Sequence, residues 1–227
     1  MPLNMECKDW NPFEQLDIRP KVLLIGHDPC LRKSDTIAEY ALFSDYCFKS
    51  EPLNGSDRRK YGLAKNSFEQ VLDITGSRYS PEDLYVTNLC NKALERPKNR
   101  TVLIPEREAE TGVKRLKKIL EQFDSIEYVF PMSQQVNYWL QYFGLYQTET
   151  DFLDNAKPKQ KGIDSNPPYY EAMNQKATPF LEICGRVYDL GKGQKLIPIL
   201  HTKKYSQLTK MGAYLSCYKQ IRSHFDL

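Results

Sequence analysis

Three polar side chains, Asp28, Asn88 and His201, each follow a run of apolar residues at distant points in the chain. Continuous runs of Val, Ile and Leu are typical of strands that are buried on both faces in a parallel sheet. Ligands of such sheets bind beyond the carboxyl ends of the strands. We therefore expect a carboxylate, a carboxamide and an imidazole to meet at one edge of the sheet, where they could form a reactive site.

Length and composition favour one α/β domain with a sizeable core, covering residues 1–227. No apolar stretch approaches the ~18 residues needed to cross a bilayer. Residues 1–13 lack the apolar core of a signal peptide, so we expect a cytoplasmic protein that does not bind membranes. The six cysteines form no close pairs, which predicts reduced thiols, no metal site and no cofactor. We expect a monomer.

The elements that position these residues follow from apolar patterning. Residues 22–29 contain the first strand, and further strands are predicted at 84–88 and 126–130, with a hairpin over 186–200 and helices over 67–74, 105–123, 133–142 and 207–224. This alternation predicts a three-layer α/β/α sandwich with a central, mostly parallel four-stranded sheet. The polar stretch 147–178 is predicted to be a long loop, a lid or an insertion.

Two helix assignments depend on particular residues. Ser67 is predicted to be the N-cap of the helix over 67–74, with Gln70 completing a capping box and Gly76 ending the helix. The helix over 105–123 has glutamates in its first turn and a basic cluster (Lys114, Arg115, Lys117 and Lys118) towards its end. That distribution matches the helix dipole, so we expect the basic cluster to have no functional role.

In the order and spacing of four short motifs the chain resembles the uracil-DNA glycosylase superfamily. In its best-known branch the first strand ends in Gly-Gln-Asp-Pro-Tyr-His, and here the sequence is Gly26-His27-Asp28-Pro29-Cys30-Leu31. Ala41-Leu42-Phe43-Ser44 resembles the Leu-Ala-Phe-Ser of that branch. Thr87-Asn88 resembles the Thr-Asn of the bacterial iron–sulfur branch, and residues 91–106 resemble the polar loop that follows it. His201-Thr202-Lys203-Lys204-Tyr205-Ser206 resembles the terminal His-Pro-Ser-Pro-Leu-Ser.

The resemblance implies a DNA glycosylase that acts on a base flipped out of DNA. Asp28 would stabilise the cationic sugar and orient a water, and His201 would donate a hydrogen bond to the departing base. Asn88 would recognise the edge of uracil that distinguishes it from cytosine. Phe43 would stack on the base, while backbone amides around His27 and Asp28, just past Gly26, would bind its carbonyls.

Departures from the family motifs imply further properties. Cys30 replaces the tyrosine that excludes the thymine methyl group, which predicts weaker exclusion of 5-substituted pyrimidines. Tyr205 replaces the leucine that wedges into DNA. Lys203 replaces the serine that contacts phosphate, and Lys204 and Ser206 complete this DNA-binding segment. The cysteines of the iron–sulfur branch are absent as a set, which predicts no cluster.

Other interpretations of the same residues remain open. Asp28 could cap a helix, Asn88 could cap a turn, and His201 could be an ordinary histidine at a strand end. Phe43 could belong to the core, with Tyr46 and Phe48 as rival stacking residues. Two other functions fit the pattern: a non-catalytic nucleic-acid or nucleotide binder on the same scaffold, and a hydrolase of free nucleosides.

Overall fold

The computed structural model contains a mixed, mostly parallel five-stranded sheet with helices packed against it. It describes residues 6–9, 19–27, 39–42, 44, 56–94, 104–149, 179–202 and 212–227. In chain order the strands are β1 Val22–Gly26, β2 Leu84–Asn88, β3 Tyr128–Pro131, β4 Tyr188–Gly191 and β5 Gln194–Leu196. The described α-helices are α1 Ser56–Ile74, α2 Glu106–Gln122, α3 Gln134–Tyr142, α4 Pro179–Ile183 and α5 Gly212–Ser223.

The strand order is β2-β1-β3-β5-β4, and the first four strands in this order run parallel. The predicted parallel strands are confirmed, but the count of four is wrong. The turn at Gly191, Lys192 and Gly193 has positive φ at all three residues, which folds β4 back along β5. Strand β4 therefore joins the sheet as an antiparallel edge strand and makes the fifth.

Alternate residues of β1 face two different apolar clusters, which explains its unbroken Val-Leu-Leu-Ile run. Leu23 and Ile25 pack with apolar residues of α2 and α3. Val22 and Leu24 pack with apolar residues of α1 and α5. All five residues of β1 and of β2 are buried, so both strands lie inside the core.

Helix α1 differs from the prediction at its beginning. It starts at Ser56 rather than near Ser67, so Ser67 and Gln70 lie inside the helix and are not an N-cap and capping box. Both side chains are buried and bond to another part of the chain. The predicted end is confirmed, because Gly76 has φ +62 and Ser77 N donates to Leu72 O at 2.6 Å.

Helix α2 agrees with the prediction: Pro105 is its N-cap and its apolar stripe is buried. Gly112 lets this helix approach the chain just after β2. A Cβ atom at Gly112 would lie 1.9 Å from the carbonyl oxygen of Leu89, so only glycine permits the observed separation. Helix α2 is thereby held against the carboxyl end of β2.

Helix α3 is capped by Ser133 as predicted, with Oγ accepting a hydrogen bond from Val136 N at 3.5 Å. The final helix is described from Gly212, and the beginning predicted at residue 207 lies outside the described residues. Of the predicted loop 147–178, residues 150–178 also lie outside them. None of the described helices is long and apolar enough to span a bilayer.

Candidate functional site

The carboxyl ends of the four parallel strands lie at one edge of the sheet. Gly26 at the end of β1 is in register with Asn88 at the end of β2. On the other side of β1, Met132 N donates to Ile25 O at 2.9 Å, and Met132 forms a parallel bridge with Ile199. Residues that follow these positions, including His27 and His201, therefore belong to the same edge.

Gly26 and Asn88 are in direct contact. A Cβ atom at residue 26 would lie 2.4 Å from Asn88 Oδ1 and 2.9 Å from Leu42 Cδ2. Any larger residue at position 26 would displace the carboxamide, which gives this glycine a steric role. Leu42, in the segment that resembles the Leu-Ala-Phe-Ser motif, also lies against this strand end.

The Asn88 side chain is fully buried, and only its nitrogen has a described partner. Asn88 Nδ2 donates to Cys7 Sγ at 3.3 Å. Asn88 Oδ1 has no hydrogen-bond partner among the described residues. A buried acceptor without a donor costs about 1–3 kcal/mol, so this oxygen is a candidate contact for a ligand.

Residues 6–9 form part of this edge, which the sequence did not predict. Glu6 forms an antiparallel bridge with Lys92, and Lys8 forms a parallel bridge with Tyr40. These isolated bridges tie the segment both to the chain after β2 and to the turn that contains Leu42. No apolar periodicity marks such a short segment, so the sequence offered no signal for it.

Asp9 is the centre of a polar network behind Asn88. Its carboxylate accepts hydrogen bonds from Thr87 Oγ1 at 2.6 Å, Asn91 Nδ2 at 2.8 Å and Tyr85 OH at 3.2 Å. The Arg115 Nε atom lies 3.6 Å from Asp9 Oδ2, an ion pair longer than a hydrogen bond. The side chain of Arg115 is 30% exposed and that of Asp9 is 16% exposed, so the pair is largely shielded from solvent.

Arg115 has a structural role at this edge that its place in the basic cluster did not suggest. Its Nη2 atom donates to the carbonyl oxygen of Asn88 and, at 3.1 Å, to Thr87 Oγ1. Gly112 precedes Arg115 by three residues and so lies on the same face of α2. The close approach at Gly112 therefore brings the guanidinium to the end of β2. Helix electrostatics explain only part of the role of Arg115, and the absence of a functional role for the basic cluster stays a prediction.

The backbone around His201 is held by α1. Gln70 Nε2 donates to Leu200 O at 2.7 Å, and Ser67 Oγ lies 3.1 Å from Thr202 Oγ1. Thr202 Oγ1 also lies 3.8 Å from Met132 Sδ. Ser67 and Gln70 thus fix the residues on both sides of His201, whose own side chain is half-buried.

The chain just after β1 is tied to the chain after β2. Leu89 N donates to Gly26 O at 2.9 Å, and Cys90 N donates to His27 O at 3.1 Å. The carbonyls of Gly26 and His27 are therefore used within the protein. The predicted role of the amides near His27 in binding base carbonyls stays a prediction.

Several predicted site residues lie outside the described residues, and their roles stay predictions. They are Asp28, Cys30, Phe43, Lys203, Lys204, Tyr205 and Ser206. Among the predicted residues that are described, Gly26 and Asn88 are brought into contact and His201 lies along the same edge. Strand β2 is separated from β5 by β1 and β3. Three strand spacings, roughly 14 Å, therefore separate the backbone at Asn88 from that at Ile199, two residues before His201.

The four cysteines among the described residues, Cys7, Cys90, Cys184 and Cys217, are buried and form no disulfide. Burial, partly offset by the hydrogen bond from Asn88 and reinforced by the charge of Asp9, raises the pKa of Cys7 to about 11. Cys7 is therefore a protonated thiol at neutral pH. Within the described part of the chain, no three His, Cys, Asp or Glu side chains are grouped as metal ligands would be.

Comparison of the chain with protein-family models and with curated proteins gave no match. The candidate site is therefore defined by its own geometry.

Proposed function

We propose that this protein is a DNA glycosylase that hydrolyses the N-glycosidic bond of uracil or a related base. The observation that supports this proposal best is the buried Asn88 carboxamide, whose Oδ1 lacks a donor at the carboxyl end of β2. An acceptor held in this way matches a ring N–H of a flipped base. The anchoring of the chain on both sides of His201, three strands away, is consistent with a second contact on the same base.

The proposed reaction uses groups at two strand ends. Breaking the bond between C1′ and the base leaves positive charge on the sugar and negative charge on the base. Asp28 stabilises the cationic sugar and orients the water that attacks C1′, while His201 donates a hydrogen bond to the departing base. Gly26 leaves room for the Asn88 carboxamide, which would meet the base edge. The two apolar clusters on alternate sides of β1 support our expectation of a three-layer α/β/α arrangement.

DNA contact is assigned to the segment that follows His201. Lys203 and Lys204 would hold phosphates, Tyr205 would enter the space left by the flipped base, and Ser206 would complete the contact. Phe43 would stack on the base, and the small Cys30 would leave room for a substituent at C5. The proposed substrates therefore include thymine and 5-hydroxymethyluracil besides uracil.

A panel of oligonucleotides tests this function. Each carries uracil, thymine in a mispair, 5-hydroxymethyluracil, hypoxanthine or xanthine, and base release is followed by cleavage of the abasic product. We expect release that survives EDTA, and a loss of at least about a hundredfold in rate for Asp28→Asn and for His201→Ala. Binding of abasic or single-stranded DNA with no base release would refute catalysis and favour a non-catalytic binder. Activity on free deoxyuridine alone would instead indicate a nucleoside hydrolase.

A further inference from the structure

A directed series of hydrogen bonds beside β2, which we call the relay, runs through Asp9, Asn91 and Cys7 to Asn88. Asp9 Oδ1 accepts from Asn91 Nδ2 at 2.8 Å. Asn91 Oδ1 accepts from the thiol of Cys7 at 3.5 Å, and Cys7 Sγ accepts from Asn88 Nδ2 at 3.3 Å. The relay ends at Asn88, whose Oδ1 is a buried acceptor with no partner among the described residues.

Asp9 sets the direction of the hydrogen bonds in the relay. An ionised carboxylate has no proton to donate, so the amide of Asn91 must present its nitrogen to Asp9 and its oxygen to Cys7. A thiol has one proton, which the Asn91 oxygen takes, so Cys7 can offer Asn88 only a lone pair. Asn88 must then present its nitrogen to Cys7. Rotating the Asn88 amide by half a turn would place two acceptors against each other.

Asp9 is well suited to this role because three donors and the Arg115 guanidinium surround its carboxylate. The same guanidinium donates to the backbone carbonyl of Asn88, so Arg115 contacts the residues at both ends of the relay. Asn88 Oδ1 lies beside Gly26, where a Cβ atom would be 2.4 Å away, so only the absence of a side chain at residue 26 lets the oxygen occupy this position.

We propose that the Asp9–Asn91–Cys7 relay sets the orientation of the Asn88 carboxamide and thereby selects bases with a ring N–H over bases with a ring nitrogen lone pair. This inference rests on the proposed function, since it concerns the base that Asn88 meets. Uracil presents N3–H to Asn88 Oδ1, whereas cytosine presents the lone pair of N3 to the same oxygen. Cys7, Asn91 and Asp9 are positioning residues, because they act on the base only through Asn88.

Substitutions at Cys7 separate the relay from simple packing. Cys7→Val fills the space without a hydrogen-bonding atom, whereas Cys7→Ser keeps one proton and a lone pair. We expect Cys7→Val to lower the ratio of kcat/KM for uracil to kcat/KM for cytosine by about tenfold, which corresponds to the loss of one neutral hydrogen bond. Cys7→Ser should keep the ratio of the unsubstituted protein. Cys90→Val is the matched control, since its buried thiol contacts Lys92 O, and it should leave the ratio unchanged.

A second variant and a second measurement keep the test independent of folding and of catalysis. Asn91→Leu breaks the relay one step away and should lower the same ratio by a similar factor. The side-chain amide of Asn88, followed by NMR, should exchange slowly in the unsubstituted protein and in Cys7→Ser, and rapidly in Cys7→Val.

The outcomes distinguish the two proposals. No base release by the unsubstituted protein refutes the glycosylase, and the amide exchange then decides on the relay alone. Uracil release with an unchanged ratio in both Cys7→Val and Asn91→Leu overturns the relay while the glycosylase stands. Unchanged exchange of the Asn88 amide in Cys7→Val overturns it as well.

Discussion

Replacing Gly112 by alanine tests the contact that brings α2 to the candidate site. The new Cβ would lie 1.9 Å from Leu89 O, and an ordinary contact begins near 3.4 Å, so the backbones must separate by about 1.5 Å. The obstructing atom is a backbone carbonyl, which cannot turn away as a side chain can. Overpacking costs about 3 kcal/mol at a site of this kind, offset by about 1 kcal/mol from the higher helix propensity of alanine. We therefore expect Gly112→Ala to lower the free energy of unfolding by about 2 kcal/mol.

The matched control is Gly62→Ala in α1, because no described atom lies within 4 Å of a Cβ there. That substitution should raise the free energy of unfolding by about 0.5–1 kcal/mol. Urea unfolding with unchanged m-values measures both changes. Gly112→Ala should also reduce base release, because the displaced helix carries Arg115 away from Asn88. Equal stability effects of the two substitutions, or a Gly112→Ala protein as stable as the original, would show that the close approach at Leu89 is not a constraint.

Two further substitutions test the anchoring of the site. Gln70→Leu leaves the buried carbonyl of Leu200 without its donor, so it should lower the free energy of unfolding by about 1–3 kcal/mol and reduce base release. Glu69→Ala, on the exposed face of the same helix, should change neither quantity. Urea unfolding and the oligonucleotide assay measure the two effects. At Cys7 the folded pKa, about 11, lies above the ordinary thiol pKa of 9.0, so the stabilising contribution of Cys7 is complete below about pH 8 and is lost as pH rises towards 11. The unfolding free energy should therefore fall by about 2 kcal/mol more in the unsubstituted protein than in Cys7→Ser over that interval, and parallel pH profiles would contradict this.

The strands and most helices could be predicted because their patterns have a single physical cause. A Val-Leu-Leu-Ile run such as that of β1 is stable only when both faces are covered, and the structure covers both. The polar residues were predicted less well because one sequence pattern serves two structures. Ser67 and Gln70 have the spacing of a capping box, yet inside a longer helix the same spacing directs both side chains to the segment around His201.

Arg115 and residues 6–9 show a second limit of sequence patterns. A basic residue towards the end of a helix satisfies the helix dipole whether or not it also contacts a distant strand, so charge patterning cannot distinguish the two cases. The contact depends on Gly112, whose close approach to Leu89 is a property of the packed structure. The segment that contains Cys7 and Asp9 joins the site through single bridges, which leave no periodic signal in the sequence.

The energetics of Asn88 argue that this strand end is built for a ligand rather than for stability alone. The side chain is fully buried at the end of a strand whose other residues include Leu84 and Val86, and its oxygen lacks a donor among the described residues. An apolar side chain of similar size there would avoid a cost of about 1–3 kcal/mol. The protein instead orients the carboxamide through Cys7, holds its backbone through Arg115 and leaves Gly26 without a side chain beside it. Each of these features helps to hold the Asn88 acceptor in place, and in the proposed function the ring N–H of a base would be its donor.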